Sequence, residues 1–347
     1  MNEKTNPGQG VQRCELCGKL SRLLNPEHCG YQRPERFAIY ECAYCDLQFA
    51  QPRVPVRGIY EHIYRNSAVL PGYARYHRYA EAIREQPDPL SWLAQQESVF
   101  WFVRKAILQQ NLGSGDSVYE IGSGLGYLTF ALRRAGINAT GLDISETAVL
   151  SATERFGPYY RVAPAGAVAD IESGTASAVI MSELIEHVEK PEALLADIHR
   201  LLRPGGVALI TTPNKSTFPI GAYWRTENPP VHYWWFSETS MRNMAARQNF
   251  DISFFDFTEF NSFKMGRITP SDAGIVRQSE PSLDERGEPL CHDATAPLTL
   301  SYRLRVKRKR MLCDYFGDPR LAITASAAAI VVQRADSMGV ILTRPVE

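Results

Sequence analysis

The chain has 347 residues, of which 44% are hydrophobic, and its 38 lysines and arginines equal its 38 aspartates and glutamates. This length allows one large domain with appendages, and zero net charge argues against a basic field over the whole surface for long nucleic acids. The sequence has no apolar run of about 18 residues, as a membrane span requires, and its polar N-terminus lacks the apolar core of a secretory signal. We therefore expect a cytoplasmic protein with no membrane partner.

Four N-terminal cysteines form two C-x-x-C knuckles separated by 24 residues, Cys14 with Cys17 and Cys42 with Cys45. Four thiolates at this spacing are typical of a closed tetrahedral zinc site, which stabilises a segment too small for its own core. In a chain without an export signal, metal is a better explanation than disulfides. The sequence thus predicts a structural zinc ion, with an unmetallated cysteine cluster as the alternative.

The second knuckle lies in residues 40–49, YECAYCDLQF, which have the composition of a single strand. Cys29 and His28 fall between the knuckles and are expected to be spare residues rather than ligands. We assign residues 1–55 to the zinc-ribbon module and residues 56–110 to a helical connector or cap.

The cap is rich in aromatic residues and is predicted to contain a helix around residues 59–65 and a pair of helices over residues 73–110. The aromatic side chains either pack the helices onto the main domain or form a lid over an apolar or ring-bearing substrate. Both roles are compatible with the sequence.

Residues 118–132, VYEIGSGLGYLTFAL, read as a strand, a glycine turn and a helix. A turn with Gly122, Gly124 and Gly126 lets the backbone approach a ligand closely and directs the free amides of a helix start toward it. Asp143 follows 17 residues after Gly126 at the end of the next predicted strand, where a carboxylate can accept both hydroxyls of a ribose.

Strand and helix patterns alternate through the rest of this region. The predicted elements are a helix at 146–156 capped by Ser145, a third strand at 168–171, a fourth at 176–182, a helix at 191–202, a fifth strand at 206–212, a helix at 238–248, a strand at 251–259 and a final edge strand at 321–334. This alternation predicts an α/β, doubly wound, mostly parallel, seven-stranded Rossmann-like sheet. We assign it to residues 111–347, with an insertion at about 260–320 whose basic run is either a solvated helix face or a dock for phosphate or RNA.

The blocks VYEIGSGLGYLTFAL, GLDIS, AVIMSELIEHV and LLRPGGVALITTPN resemble the class I S-adenosylmethionine-dependent methyltransferases, and most closely the ubiquinone-biosynthesis O-methyltransferase branch. The resemblance covers about residues 95–260. It implies that the cofactor S-adenosylmethionine (SAM) lies across the carboxyl ends of the strands. The residues that it assigns to SAM are Glu120, Gly122, Ser123, Gly124 and Gly126 for the methionyl part, Asp143 and Ile144 for the ribose, Asp170 and Ile171 for the adenine, and Ser182 beside the methyl donor.

Four further residues are candidates for catalysis: Glu183, Glu186, His187 and His232. The first three have i, i+3 and i+4 spacing, which would place them on one helix face just past the fourth strand. Two carboxylates and two imidazoles would suit a divalent ion, Mg or Mn, that holds a substrate diol. The set resembles the metal site of small-RNA 3′-terminal ribose 2′-O-methyltransferases. A metal-free histidine base and a purely structural role remain the alternatives.

The aromatic residues Tyr223, Trp224, Tyr233 and Trp234 are candidate walls of the acceptor pocket, and at least half of them are expected to be core. The leading functional hypothesis is methyl transfer from SAM to a hydroxyl, or to a carbon, of a small-molecule, sugar or secondary-metabolite acceptor. The alternatives are an RNA methyltransferase and a non-catalytic zinc- and SAM-binding scaffold.

Overall fold

A computed structural model describes the placement of most of the chain. The described residues are 12–54, 57–70, 72–163, 167–217, 223–224, 228–265, 275–276, 280–290 and 337–346. The strand predicted at 321–334 and the basic run of the insertion lie outside them. Within these ranges, no helix combines the length and the apolar character that crossing a membrane would require.

The N-terminal segment forms three antiparallel strands, β1 (Arg22–Cys29), β2 (Arg36–Cys42) and β3 (Leu47–Gln51). The prediction of one strand over residues 40–49 is wrong, because Cys42 ends β2 and Cys45 lies in the turn before β3. The turn closes with Asp46 in the left-handed region at φ 54°. Two thiols three residues apart can face one point only if the chain reverses between them, which a continuous strand does not allow.

The described part of the cap contains four α-helices. The helix predicted around residues 59–65 is confirmed, whereas the pair predicted over residues 73–110 is three helices. The four helices are α1 (Arg57–Arg65), α2 (Ala74–Ala82), α3 (Pro89–Ala94) and α4 (Ser98–Gln109). Asp88 and Pro89 are residues that favour the start of a helix, and α3 begins at Pro89. The Asp88 carboxylate accepts a hydrogen bond from Ser91 N at 3.0 Å, and Pro89 has no amide hydrogen that needs a partner. Phe100 and Phe102 of α4 are buried, so these aromatic residues attach the cap to the sheet.

The remaining elements alternate as expected. They are β4 (Ser117–Ile121), α5 (Tyr127–Arg134), β5 (Asn138–Asp143), α6 (Glu146–Phe156), β6 (Tyr160–Val162), β7 (Ala176–Ser182), α7 (Pro191–Leu201), β8 (Leu202–Pro213), β9 (Tyr223–Trp224), β10 (Trp234–Trp235), α8 (Glu238–Arg247), β11 (Asp251–Phe254), α9 (Thr258–Met265), β12 (Ile275–Val276) and β13 (Ser337–Thr343). Ser145 caps α6 as predicted, since its hydroxyl accepts from Ala148 N at 3.2 Å.

Seven strands form the main sheet in the order β11-β13-β8-β7-β4-β5-β6. The strands from β8 to β6 are mutually parallel, and β13 runs antiparallel to both β8 and β11. The predicted fold class, an α/β doubly wound and mostly parallel Rossmann-like sheet, is confirmed. The strand order reverses between β4 and β7, and the carboxyl ends of these two strands define the crevice where such sheets bind ligands.

One strand prediction in this region is wrong, and one predicted strand is too long. The third strand is β6, and the predicted strand at 168–171 is instead a single 3-10 turn, Ala167–Asp170. The β6 strand has only three residues, too few for a periodic signal, and it is held by Tyr160, whose hydroxyl donates to Gly126 O at 2.6 Å. The strand predicted at 251–259 is shorter than expected, because β11 ends at Phe254. Among the described strands, β13 lies inside the sheet and β11 is at its edge.

The small N-terminal sheet is not separate from the main domain. Its fourth strand is β10, whose Trp234 pairs with Phe49 of β3. As a result, one apolar core runs from Phe49 and Trp234 to Met181 and Ile198 of the main sheet. The division into three domains remains a prediction, and this shared strand is the contact that joins the first of them to the third.

Candidate functional site

The glycine turn after β4 has the geometry that its sequence indicates. Gly122, Gly124 and Gly126 have φ of 77°, 50° and 82°, in the left-handed region where a side chain would be strained. A Cβ on Gly122 would lie 2.8 Å from Leu184 Cδ1, and one on Gly126 would lie 2.6 Å from Ala152 Cβ. The turn is therefore packed against both the chain after β7 and α6, and only glycine permits this packing.

Asp143, at the end of β5, is the residue that holds the turn in place. Its Oδ2 accepts from Gly124 N at 2.7 Å and its Oδ1 accepts from Ser145 N at 2.9 Å. Burial raises the pKa of Asp143, and the two backbone amides partly offset this effect. Each oxygen keeps a lone pair, so the carboxylate can also accept the two hydroxyls of a ribose.

Glu120 is buried at the end of β4 and accepts a hydrogen bond from the Thr129 hydroxyl of α5. Burial raises the pKa of Glu120 to about 8. A carboxyl with this pKa is largely protonated at neutral pH. It can form an ion pair with the ammonium group of a cofactor only if binding of the cofactor lowers its pKa, so that it loses its proton. Its role toward the methionyl part of SAM remains a prediction.

The crevice contains buried polar atoms that suit a polar ligand. Ser123 Oγ in the glycine turn and Ser182 Oγ at the end of β7 have no hydrogen-bond partner in the described part of the chain. Leaving buried hydroxyls unpaired costs about 1–3 kcal/mol each, and a ligand rich in donors and acceptors would remove this cost. Together with the lone pairs of Asp143, these atoms fit a nucleoside cofactor.

The other predicted cofactor residues lie around the same edge of the sheet. Ile144 is half-buried next to Asp143, and Ile171 is half-buried after the 3-10 turn. Asp170 is exposed in that turn rather than at the end of a strand. Their contact with the adenine and ribose stays a prediction.

Glu183 directly follows β7 at the crevice and has φ 51°, an uncommon conformation for a residue with a side chain. Its amide donates to Thr211 O at 3.1 Å, and its Oε2 accepts from the Ser337 hydroxyl at 3.1 Å. Burial raises the pKa of Glu183 to about 7, although the hydroxyls of Thr211 and Ser337 partly offset the effect. This carboxyl therefore titrates near neutral pH.

A second group of side chains lies together a few residues further on. Ligand atoms of Glu186, His187 and His232 are all within 4.8 Å of one another, and Glu183 does not belong to this group. The structure therefore brings together three of the four residues expected from the sequence, and their role in catalysis or metal binding remains a prediction. The i, i+3, i+4 argument fails because residues 185–187 form a turn and not a helix, so Glu183 and Glu186 do not share a helix face.

Burial favours the neutral form of both histidines of the Glu186–His187–His232 cluster. His187 Nδ1 donates to Val231 O, which leaves the lone pair on Nε2, 3.7 Å from Glu186 Oε1. Burial lowers the pKa of His187 to about 4, and burial together with His187 lowers that of His232 well below its ordinary value. His232 Nδ1 has no hydrogen-bond partner among the described residues. The cluster thus offers lone pairs to a proton or a cation.

Two tyrosines of α1 are near the site, and the sequence did not single them out. The ring of Tyr60 is edge-on to the His187 ring, with 6.3 Å between the ring centres. It stacks on the Tyr64 ring, with 6.4 Å between the ring centres. The Tyr64 hydroxyl lies 3.2 Å from where a Cβ of Gly124 would be. The signal that could have found them is their i, i+4 spacing in IYEHIY, which aligns both rings along one helix face. A row of phenols therefore runs from the glycine turn to the cluster.

The N-terminal cysteines converge as predicted. Cys14 Sγ lies 3.9 Å from Cys45 Sγ, and Cys17 Sγ lies 3.5 Å from Cys42 Sγ. A tetrahedral zinc ion with bonds of about 2.3 Å to sulfur requires separations of about 3.8 Å, so the four thiols fit it. Burial raises the pKa of Cys14 to about 12, a penalty that a bound cation would offset.

We expect the purified protein to contain about one zinc ion per chain, since four closed ligands bind zinc tightly. Cys42→Ser should lose most of this zinc and lower the melting temperature, whereas Cys29→Ser should retain it, because Cys29 is buried outside the group of four. Elemental analysis and thermal unfolding measure both quantities. Zinc retained in the Cys42 variant, or lost only in the Cys29 variant, would contradict the assignment.

The candidate pocket walls Tyr233 and Trp234 are core residues, as expected for at least half of the four. Both are buried, and Trp234 packs against Phe49 and Phe236. Tyr223 and Trp224 form β9, which pairs with β12, and their side chains lie outside what the structure describes. Any pocket wall on this side therefore comes from residues other than Tyr233 and Trp234.

Comparison with known proteins found a family match and partial relatives. Residues 94–253 match the family model described as "Methyltransferase domain". This range includes the glycine turn, Asp143, Glu183 and the Glu186–His187–His232 cluster. The similarity to a methyltransferase domain therefore covers the region that holds all of these residues.

Individual relatives are similar to parts of the chain. A ubiquinone biosynthesis O-methyltransferase of Methylococcus capsulatus is 36% identical over 108 residues, which are 30% of this chain and 46% of that protein. A protein of Mycolicibacterium smegmatis named "Probable S-adenosylmethionine-dependent methyltransferase" is 34% identical over 130 residues, 36% of this chain and 50% of its own length. The chain thus spans about half the length of the curated relatives it matches.

A solved structure of an S-adenosylmethionine-dependent methyltransferase from Mesorhizobium loti aligns with a TM-score of 0.42 and 18% identity. The alignment covers 50% of this chain and 91% of that one. The fold class follows from the order and directions of the strands in the main sheet.

Proposed function

We propose that the protein transfers a methyl group from SAM to a hydroxyl of a small-molecule acceptor. The observation that carries the proposal is the Glu186–His187–His232 cluster beside the glycine turn, with an unpartnered imidazole nitrogen at His232. A hydroxyl must lose its proton as it attacks, and a neutral buried imidazole can take that proton. The names of the ubiquinone O-methyltransferase relatives support an oxygen acceptor. A carbon acceptor is the alternative within the same class.

Bound SAM would supply an electrophilic methyl group on a sulfonium. Asp143 would hold the ribose, Gly122–Gly126 would lie against the methionyl part, and Ser123 and Ser182 would gain partners on binding. Their main contribution is to place the methyl group in line with the acceptor oxygen, since alignment alone can account for much of the rate. His232 would take the acceptor proton. The hydrogen bond from His187 Nδ1 to Val231 O fixes the orientation of the His187 ring.

We expect the rate to rise with pH through about 7 if the Glu183 carboxylate must be ionised to orient the acceptor. The pKa of Glu183 is raised to about 7, so the neutral acid dominates below this pH and the carboxylate above it. A profile of kcat against pH should therefore fall on its acidic side, and Glu183→Gln should lose this acidic limb together with activity. A profile with the same acidic limb in the variant would assign the titration to another group.

A divalent ion in the Glu186–His187–His232 cluster is the alternative to a metal-free base. With Glu183 outside the cluster, the donors are two imidazoles and one carboxylate, a set that suits a transition ion such as Mn better than Mg, which prefers oxygen ligands throughout. Such an ion would bind the acceptor oxygen and lower its pKa. As a metal-free base, His232 would act on the acceptor oxygen directly, and in the metal-bound form it would act through the ion that it helps to hold.

An RNA methyltransferase and a non-catalytic scaffold are the other hypotheses. The zero net charge of the chain favours a small acceptor over an RNA groove, and Asp143 and the glycine turn in cofactor-ready geometry speak against a scaffold. A transfer assay with tritiated SAM, run in parallel on total RNA and on a panel of polyphenols and nucleotide-linked sugars, separates the three. Label in the small-molecule panel alone supports the proposal, label in RNA alone replaces it, and no label on any substrate supports the scaffold.

A further inference from the structure

The strand that joins the cysteine module to the main domain directly follows a candidate catalytic residue. The β10 strand begins at Trp234, two residues after His232, and pairs in register with Phe49 and Gln48 of β3. The β3 strand in turn begins two residues after Cys45. A short path therefore connects the four-cysteine site to the segment 228–236, which we call the His232 loop.

The cysteine module holds the His232 loop on both sides of the histidine. Before it, Pro229 O accepts a hydrogen bond from Tyr31 N at 2.7 Å. After it, Tyr233 O accepts from Ala50 N at 2.9 Å. Both donors are backbone amides of the module, so the path of the loop between these two points depends on where the module lies.

The side chain of Tyr233 adds a second anchor. Its hydroxyl donates to Val54 O and accepts from Val54 N at 3.0 Å, close to the end of the module. The Arg53 guanidinium lies 4.7 Å from the centre of the Tyr233 ring and 4.0 Å from that of Trp234. Cation–π contacts of this kind are strongest where water is excluded, and both rings are buried.

The same loop positions the other members of the cluster. Tyr233 N donates to Glu186 O at 2.9 Å, and the His187 ring is oriented by Val231 O. The module is also joined to the main sheet through Lys215, two residues after β8. Lys215 forms an ion pair with Asp46, and its Nζ lies 3.4 Å from Glu41 Oε1. All three members of the Glu186–His187–His232 cluster are therefore in contact with, or part of, a segment held by the module.

We propose that the four-cysteine module is the positioning element of the Glu186–His187–His232 cluster, and that Tyr233 is its main positioning residue. Zinc in the cysteine site fixes the β2–β3 turn, β3 fixes β10, and β10 fixes His232. Without the metal, the β2–β3 turn is no longer held closed, so β3 and the His232 loop are free to move. The cofactor crevice at β4 and β5 keeps its shape. The activity readout below rests on the proposed function, whereas the exchange readout does not.

The test compares zinc-loaded and zinc-stripped full-length protein by hydrogen–deuterium exchange. We expect amide exchange in residues 231–236 to accelerate by about tenfold or more on zinc removal, while exchange in residues 117–143 and the Kd of S-adenosylhomocysteine change by less than about threefold. Equal exchange of the loop in both forms would overturn the proposal. Equal acceleration in residues 117–143 would also overturn it, because the module would then stabilise the whole chain and not the loop.

Tyr233→Phe tests the same coupling with the metal in place. It removes only the hydroxyl that bonds Val54, so the variant should keep its zinc and show faster exchange in the loop. Its kcat should fall by about tenfold with the KM for SAM unchanged, as expected for a misplaced catalytic group. Tyr44→Phe, at a ring that is 68% exposed on the module, is the matched control and should match wild type. Loop exchange in Tyr233→Phe equal to that of Tyr44→Phe would overturn the proposal, whatever acceptor the enzyme uses.

Discussion

Asp143→Asn is expected to weaken SAM binding by about 100-fold, equivalent to about 2.7 kcal/mol. The two carboxylate oxygens of Asp143 accept from Gly124 N and Ser145 N, and an asparagine must turn its NH₂ group toward one of these donors. The variant therefore loses one charge-assisted hydrogen bond and places its NH₂ group against a backbone N–H, so that two donors face each other. It also offers the ribose one acceptor fewer. Isothermal calorimetry with S-adenosylhomocysteine measures the loss of affinity.

Asp251→Asn is the matched control for this change, because Asp251 is an exposed aspartate at the start of the edge strand β11. It should bind the cofactor as wild type does. Thermal unfolding of both variants separates a binding effect from a folding effect, since the Asp143 bonds also brace the glycine turn. Unchanged affinity in Asp143→Asn would contradict the placement of the cofactor ribose at β5.

His232→Asn is expected to lower kcat by about 10²–10⁴, the usual contribution of a positioned general base. The affinity for S-adenosylhomocysteine should stay within about threefold of wild type, because His232 lies in the cluster and not in the glycine turn. His77→Asn is the control, since His77 pairs with Glu81 on the cap helix α2. Single-turnover kinetics on an acceptor found in the panel assay measures the chemical step. A kcat for His232→Asn equal to that of the His77 variant would remove His232 from the mechanism.

Removing divalent ions with a chelator distinguishes between His232 as a metal-free base and His232 as a ligand of a divalent ion. If a divalent ion is essential, a chelator that leaves the cysteine-bound zinc in place should abolish turnover, and added Mn should restore it better than Mg because the donor set is two imidazoles and one carboxylate. If the histidine acts as a metal-free base, turnover should persist. The Glu186→Gln variant should lose metal-dependent activity in the first case.

Local sequence signals predicted the parts of the protein that local chemistry determines. The glycine turn, the acid at the end of β5, the Ser145 cap of α6 and the two cysteine knuckles each depend on residues close together in the chain. Positive φ at Gly122, Gly124 and Gly126 and the hydrogen bond from Ala148 N to Ser145 were therefore readable from residue types and spacing. The alternation of strand and helix also predicted the class of sheet.

The composition of the candidate catalytic site depended on tertiary structure. Glu183 and Glu186 are three residues apart, yet a turn with φ 51° at Glu183 directs one carboxylate toward Ser337 and leaves the other with the two histidines. Tyr60 reaches the cluster from a separate helix, and β10 joins the cysteine module through a pairing between residues 49 and 234. Contacts of this kind are set by packing over long separations in sequence, where no periodicity or spacing rule applies. The sequence by itself thus determined the fold class and the cofactor edge of the sheet, and only the folded chain decided which acids and histidines lie together.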